Sequence, residues 1–169
     1  MPDPEPPLLD IQIALPSWRQ VPKLRARLQQ AARATQEHLP KKLRFPFAAT
    51  VLLTGNAKVR QLNRNWRGMD KPTNVLSFPQ FDPAQLPKLG KSGTCVEIGD
   101  IAIAYQYVVA ESKKEHKILI NHVTHLVIHG LLHLFGYDHI IDKEADTMEK
   151  METTIMQSLG LPAPYDSKE

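Results

Sequence analysis

Apolar and polar positions alternate from Leu8 to Ala14, the period of a half-buried strand, and Pro16 with Ser17 break the pattern. Pro22 fits the first turn of a helix that runs to about His38, where Pro40 forbids its continuation. Phe47 to Leu53 is a second apolar, β-rich strand, and Gly55 with Asn56 turn the chain into a short helix over Ala57 to Trp66. Val75 to Phe78 predicts a third strand. From Pro79 to Val96 the prolines 79, 83 and 87 and the glycines 90 and 93 predict a long surface loop. Ile98 to Ala104 is a fourth strand. Helices follow over Gln106 to Glu115 and Ile118 to Phe135, with Gly136 placed to end the second. Asp142 is positioned to cap a last helix ending near Ser158 and Gly160. Four strands and about five helices describe an α+β chain without internal repeats.

The length of 169 residues fits one domain over 1–169, and 42% hydrophobic residues are enough to bury a core. No run approaches the roughly 18 apolar residues that span a bilayer. The start, Met1 to Leu9, carries Asp3, Glu5 and four prolines rather than a basic segment and an apolar stretch. The expected location is therefore the cytoplasm. Cys95 is alone, which rules out an internal disulfide and the zinc sites built from several thiolates. A transition metal would have to be held by His and carboxylates.

The formal net charge of +3 is unevenly distributed. Residues 11–71 hold 13 Lys or Arg against Glu37 and Asp70, whereas residues 72–169 hold 8 basic and 13 acidic residues. A basic segment of this kind attracts a phosphate-rich partner, because each Lys or Arg near a phosphate releases counterions. Ordinary solvated helix faces would give the same count.

Six of the seven histidines fall between His116 and His139. At about 100° per residue, His122, His125, His129 and His133 share a narrow stripe on a helix that is otherwise nearly all apolar, and such a helix is normally buried. A buried imidazole must be hydrogen-bonded or ligated. His129 and His133 are four apart, so they project from successive turns of one face, the spacing of helical zinc ligands. Gly136 then ends the helix, and Tyr137 and Asp138 let His139 return toward the same point. Three neutral imidazoles hold one Zn2+ ion and leave a position for water.

The spacing matches the zinc-binding helix of metzincin proteases, but those enzymes place their glutamate base directly after the first histidine. Here that position is Gly130, so a peptidase would lack its proton acceptor. A closer likeness lies in the whole run His129-Gly130-Leu131-Leu132-His133-Leu134-Phe135-Gly136-Tyr137-Asp138-His139, which resembles the signature of the bacterial YbeY family of single-strand-specific endoribonucleases of ribosomal RNA maturation. The stretch from Leu62 to Pro79, with Arg67 in Asn65-Trp66-Arg67-Gly68-Met69-Asp70, is similar to that family's arginine-bearing segment, although many members have Lys where Met69 stands. Gly99-Asp100-Ile101-Ala102-Ile103 resembles the family's fourth strand.

The resemblance implies a mixed four-stranded sheet packed with helices, zinc on His129, His133 and His139 of a buried helix, and Arg67 in the active cleft. It implies single-stranded RNA and 16S rRNA as substrate, 3′-end maturation and ribosome quality control as the role, and the small ribosomal subunit and a ribosome-assembly GTPase as partners. Zinc would activate water or polarise a phosphate oxygen, and a guanidinium would clamp the phosphate. The general base is unassigned: Asp138 orients a ligand or takes the proton, and His125 is either a proton shuttle or a buried structural residue. Trp66 either stacks on a base or packs at its helix end, and Ser77 fits a buried strand position. A different class of function, a ribosome-assembly binding factor with a structural zinc, shares the same basic surface.

Overall fold

The computed structural model, which describes residues 2–165, has strands in the four places the sequence predicts them: β1 (Leu8–Ile13), β2 (Phe47–Thr54), β3 (Val75–Pro79) and β4 (Val96–Ala104). They form one mixed sheet in the order β1-β2-β4-β3, with β1, β2 and β4 parallel and β3 antiparallel to β4. Six α-helices occur among the described residues: α1 (Leu24–His38), α2 (Asn56–Arg67), α3 (Leu86–Gly90), α4 (Tyr105–Lys114), α5 (Leu119–Leu134) and α6 (Asp142–Ser158).

The two-residue period of the strands sorts their side chains by face. Ile11, Phe47, Val51, Leu53, Ile101 and Ile103 point into the main core beneath α1 and α5. The opposite face carries a second, smaller cluster in which Val59 and Leu62 of α2 pack on Leu76, Ala102 and Ala104. Because α2 covers only that part of the second face, a cleft of about 730 Å³ remains over Gln12, Thr50 and Asp100. Trp66 and Arg67 stand on its wall.

α5 is apolar on almost every side and sits between the sheet, α1, α4 and α6. Its close approach to β4 depends on Gly130: a Cβ there would press within 2.9 Å of the Ile101 side chain. The position that holds the glutamate base in metzincins therefore faces the sheet.

Three expectations change. The stretch 79–96 contains a 3-10 turn, Pro83–Gln85, and then α3, with Leu86 buried. Pro83 and Pro87 occupy first-turn positions, where a missing N–H costs nothing, so they start these elements instead of breaking them. Asp142 is the first residue of α6 and makes no side-chain cap; Ile141 precedes the helix, and the Asp142 carboxylate acts only on the helix dipole. Finally, α1 begins at Leu24, because Lys23 adopts a left-handed conformation (φ 57°). The basic segment is also not one free surface. Arg25 donates to the Ile11 carbonyl, Arg27 to Asn121 and Arg44 to the Leu39 carbonyl, while Arg33 pairs with Glu37.

Candidate metal centre

The last two turns of α5 and the five residues after it bring three imidazoles together. His129 and His133 share one face of α5, with ring centroids 4.5 Å apart. The helix then ends in a paired motif: the Gly136 N–H donates to the His133 carbonyl and the Tyr137 N–H to the Leu132 carbonyl, both at 3.0 Å. Gly136 has φ +99°, and a Cβ there would meet Pro83 at 2.5 Å, so glycine is required on both counts. This reversal carries His139 back over the helix, and the ligating atoms of His129, His133 and His139 lie within 4.8 Å of one another. Asp138 accepts the His139 backbone N–H at 2.7 Å and so shapes the turn that presents the ring.

The proton positions on two of the rings follow from their partners. His133 Nδ1 donates to the Tyr137 carbonyl at 2.8 Å, made available by the same helix end. His129 Nδ1 donates to Glu152 Oε1 at 2.7 Å. A neutral imidazole has one N–H, so both Nε2 atoms carry lone pairs. Those two atoms face each other at 3.0 Å. Two acceptors at that distance repel unless something electropositive lies between them. Tetrahedral Zn–N bonds of about 2.0–2.1 Å would separate two nitrogens by roughly 3.3 Å, so the donor set fits a divalent ion. Burial, reinforced by the neighbouring His129 and His139, pushes His133 down to about 4, which keeps it an unprotonated donor at neutral pH.

A second group, His125, His129 and Glu152, also places candidate ligands together. Its members are joined by hydrogen bonds to Glu152, while His125 Nδ1 is buried without a partner. His125 Nε2 donates to Glu152 Oε2 at 2.6 Å, and the Tyr165 hydroxyl donates to the same oxygen. Burial pulls the Glu152 carboxyl upward, but hydrogen bonds from His125 and His129 more than offset this and hold it at about 2. One helical turn earlier, His122 Nε2 donates to Glu111 Oε1 at 2.6 Å, and Asn74 donates to the same carboxylate. A cavity of about 260 Å³ beside these groups reaches His129.

The other candidates are placed as follows. Arg67, at the end of α2, is exposed and makes no ion pair among the described residues; its neighbour Arg60 holds Asp70 at 2.8 Å. Arg67 lines the cleft on the second sheet face, and none of the histidines lines that cleft. Trp66 is 73% exposed on the same wall, too open for a packing residue, with its ring 6.4 Å from Phe78. Ser77 is half-buried along the cleft. His125 is buried against Glu152. The sequence reading missed Glu152, Tyr165 and Glu111; Glu152, with its α6 neighbours Ile155 and Met156 buried, sits on an apolar face where a carboxylate is out of place.

Two imidazoles on a buried helix and a third folded back from the turn after it make a group that could hold a metal ion. The family model described as Endoribonuclease YbeY matches residues 13–160. The chain is 42% identical over 165 residues to the Endoribonuclease YbeY of Bradyrhizobium diazoefficiens, covering 98% of this chain and 88% of that protein. It is 39% identical over 166 residues to that of Sinorhizobium medicae, covering 93% and 95%. A solution structure of a Thermotoga maritima protein shares the fold, with a TM-score of 0.54, 21% identity and coverage of 90% and 92%. The chain belongs to the Endoribonuclease YbeY family.

Proposed function

We propose that the protein is a zinc-dependent endoribonuclease that cleaves single-stranded RNA, with His129, His133 and His139 as the metal ligands and Arg67 as the phosphate-binding residue. Family membership supports the hydrolysis of RNA phosphodiesters. The observation that carries the metal assignment is the pair of facing lone pairs on His129 and His133, with His139 folded over them. In the second cluster, by contrast, the nitrogens that face Glu152 already donate to it, so no two lone pairs oppose each other there.

A zinc ion held there would act as a Lewis acid, lowering the pKa of water toward about 7 and offering positive charge to the phosphate. The chain's own residues do the rest. α5 and the turn at Gly136 fix the three rings, and the exposure of His139 leaves the site open to solvent. β3 is one of the two edge strands of the sheet. Its first residue, Val75, and the preceding Asn74 border the cavity that reaches His129, and Ser77 to Gln80 border the Arg67 cleft. A strand of RNA following this edge meets the histidines on one side and Arg67 on the other. Arg67 can then donate two parallel N–H bonds to a phosphate and stabilise the charge that grows during attack. Lys58, Arg60 and Arg64 on α2 extend the positive surface, and Trp66 offers an exposed ring for an unpaired base. The family resemblance adds the finer terms: maturation of the 3′ end of 16S rRNA and ribosome quality control, a small ribosomal subunit partner, a ribosome-assembly GTPase and a cytoplasmic location. No helix among the described residues is long and apolar enough to cross a membrane.

The test is cleavage of single-stranded ribosomal RNA by metal-quantified wild type beside Arg67→Ala and His129→Ala. Loss of cleavage in both variants is expected. Equal cleavage by all three overturns the assignment, and RNA binding without cleavage by the metal-loaded wild type turns the reading to an assembly factor with a structural metal.

A further inference from the structure

We infer that Glu152 is the positioning residue of the metal centre, fixing the tautomer of His129 from the far side of the ring. The inference rests on the metal reading above and adds a residue that touches neither metal nor RNA. Glu152 lies on α6, and its side chain is fully buried. Three donors converge on its two oxygens: His129 Nδ1 on one, His125 Nε2 and the Tyr165 hydroxyl on the other. A buried carboxylate is tolerated only when it is compensated in this way.

The consequence is directional. An ionised carboxylate has no proton to give, so His129 must carry its proton on Nδ1, and its Nε2 lone pair is directed toward His133. A free histidine side chain prefers the opposite tautomer, with the proton on the atom that has to bind the metal. Without Glu152, metal uptake would first have to move that proton. The carboxylate also makes the ring a better electron donor, as carboxylate partners of metal-bound histidines do elsewhere.

The rest of the cluster keeps this arrangement in place. Lys117 Nζ donates to the Pro164 carbonyl at 2.9 Å and pins the segment that carries Tyr165. The Tyr165 ring stands edge-on to His125 at 5.4 Å. His125, on the same stripe as His129, thus serves Glu152 rather than the metal.

The experiment compares full-length wild type, Glu152→Gln and His133→Ala, each stripped with a chelator. Two quantities are read: zinc affinity by competition with a chromophoric chelator, and the protonation of the His129 ring nitrogens by 15N NMR of the metal-free protein. Wild type should show His129 protonated on Nδ1. Glu152→Gln should lose that single tautomer and bind zinc roughly 10- to 100-fold more weakly, while His133→Ala loses the site. A folded Glu152→Gln protein with wild-type affinity overturns the inference. So does a wild-type His129 that carries its proton on Nε2, a measurement that decides the question even if Glu152→Gln does not fold. A wild type that takes up no zinc overturns the metal reading instead.

Discussion

His129 and His133 direct unprotonated Nε2 atoms at each other across 3.0 Å, each held in that state by a hydrogen bond behind its ring. One restraint comes from a carboxylate on another helix and the other from a carbonyl created by the helix end itself. The pair is therefore preorganised for a cation and disfavoured without one.

Removing the metal should consequently destabilise the protein. An ion present at 100 times its dissociation constant stabilises the native state by about 2.7 kcal/mol. For a chain of this size, chelator treatment should lower Tm by about 5–10 °C. His133→Ala should abolish both the bound metal and the chelator effect. Elemental analysis with a thermal melt checks this, and a chelator-insensitive Tm in metal-bearing wild type contradicts it.

Arg67 and the histidines line different cavities, so their effects should separate. Arg67→Ala should reduce the cleavage rate by about 10²- to 10³-fold while leaving metal content and Tm near wild type, since the side chain is exposed and unpaired among the described residues. Arg67→Lys should recover only part of the rate, because an ammonium cannot reproduce the bidentate geometry. A fall in metal content in Arg67→Ala would show that the two places are structurally linked.

The parts of this molecule legible in the sequence are those set by local periodicity. The strand alternation from Leu8 to Ala14 and the histidine stripe of the otherwise apolar α5 each follow from one short window, and so does the His129, His133, Gly136, His139 spacing. Glu152 was not legible, because its partner His129 is 23 positions away on another helix and only tertiary packing joins them. α3 was hidden for the opposite reason: Pro83 and Pro87 carry a strong local signal whose meaning depends on whether the proline begins an element or interrupts one. Nor could charge counting foresee that Arg25, Arg27 and Arg44 are engaged within the fold.

Stability of the metal-free protein should depend on pH in two windows. Burial and neighbouring imidazoles hold His133 at about 4 in the folded state, against 6.5 in an open chain. Above 6.5 neither state takes the proton. As pH falls below that, the unfolded chain accepts a proton that the folded one refuses, so stability is lost progressively toward about pH 4. Glu152 behaves as a depressed carboxylate: burial works to raise it, but its histidine bonds hold it at about 2 against 4.5, so its contribution is present above pH 4.5 and lost toward pH 2. Thermal melts of chelated protein from pH 8 to pH 3 should show both declines, and His133→Gln should reduce the upper one, leaving the part due to His125, which burial also lowers. A flat profile between pH 7 and pH 4.5 in the wild type contradicts the His133 assignment.

Gly130→Glu tests whether the departure from the metzincin pattern is chemical or steric. The substitution restores the protease spacing on paper, yet the Cβ alone would meet Ile101 at 2.9 Å, and the carboxylate would be buried against the sheet without a partner. Overpacking costs about 1–3 kcal/mol and an unpaired buried charge adds several more, which together approach the whole stability of a domain this size. The expected result is a protein that does not accumulate in folded form and shows no peptidase activity. Gly130→Ala separates the two costs, because it adds only the Cβ: it should fold, with Tm lowered by a few degrees as Ile101 shifts, and retain its metal. If Gly130→Glu instead folds with native Tm, α5 does not pack on β4 as closely as the Gly130 and Ile101 contact requires.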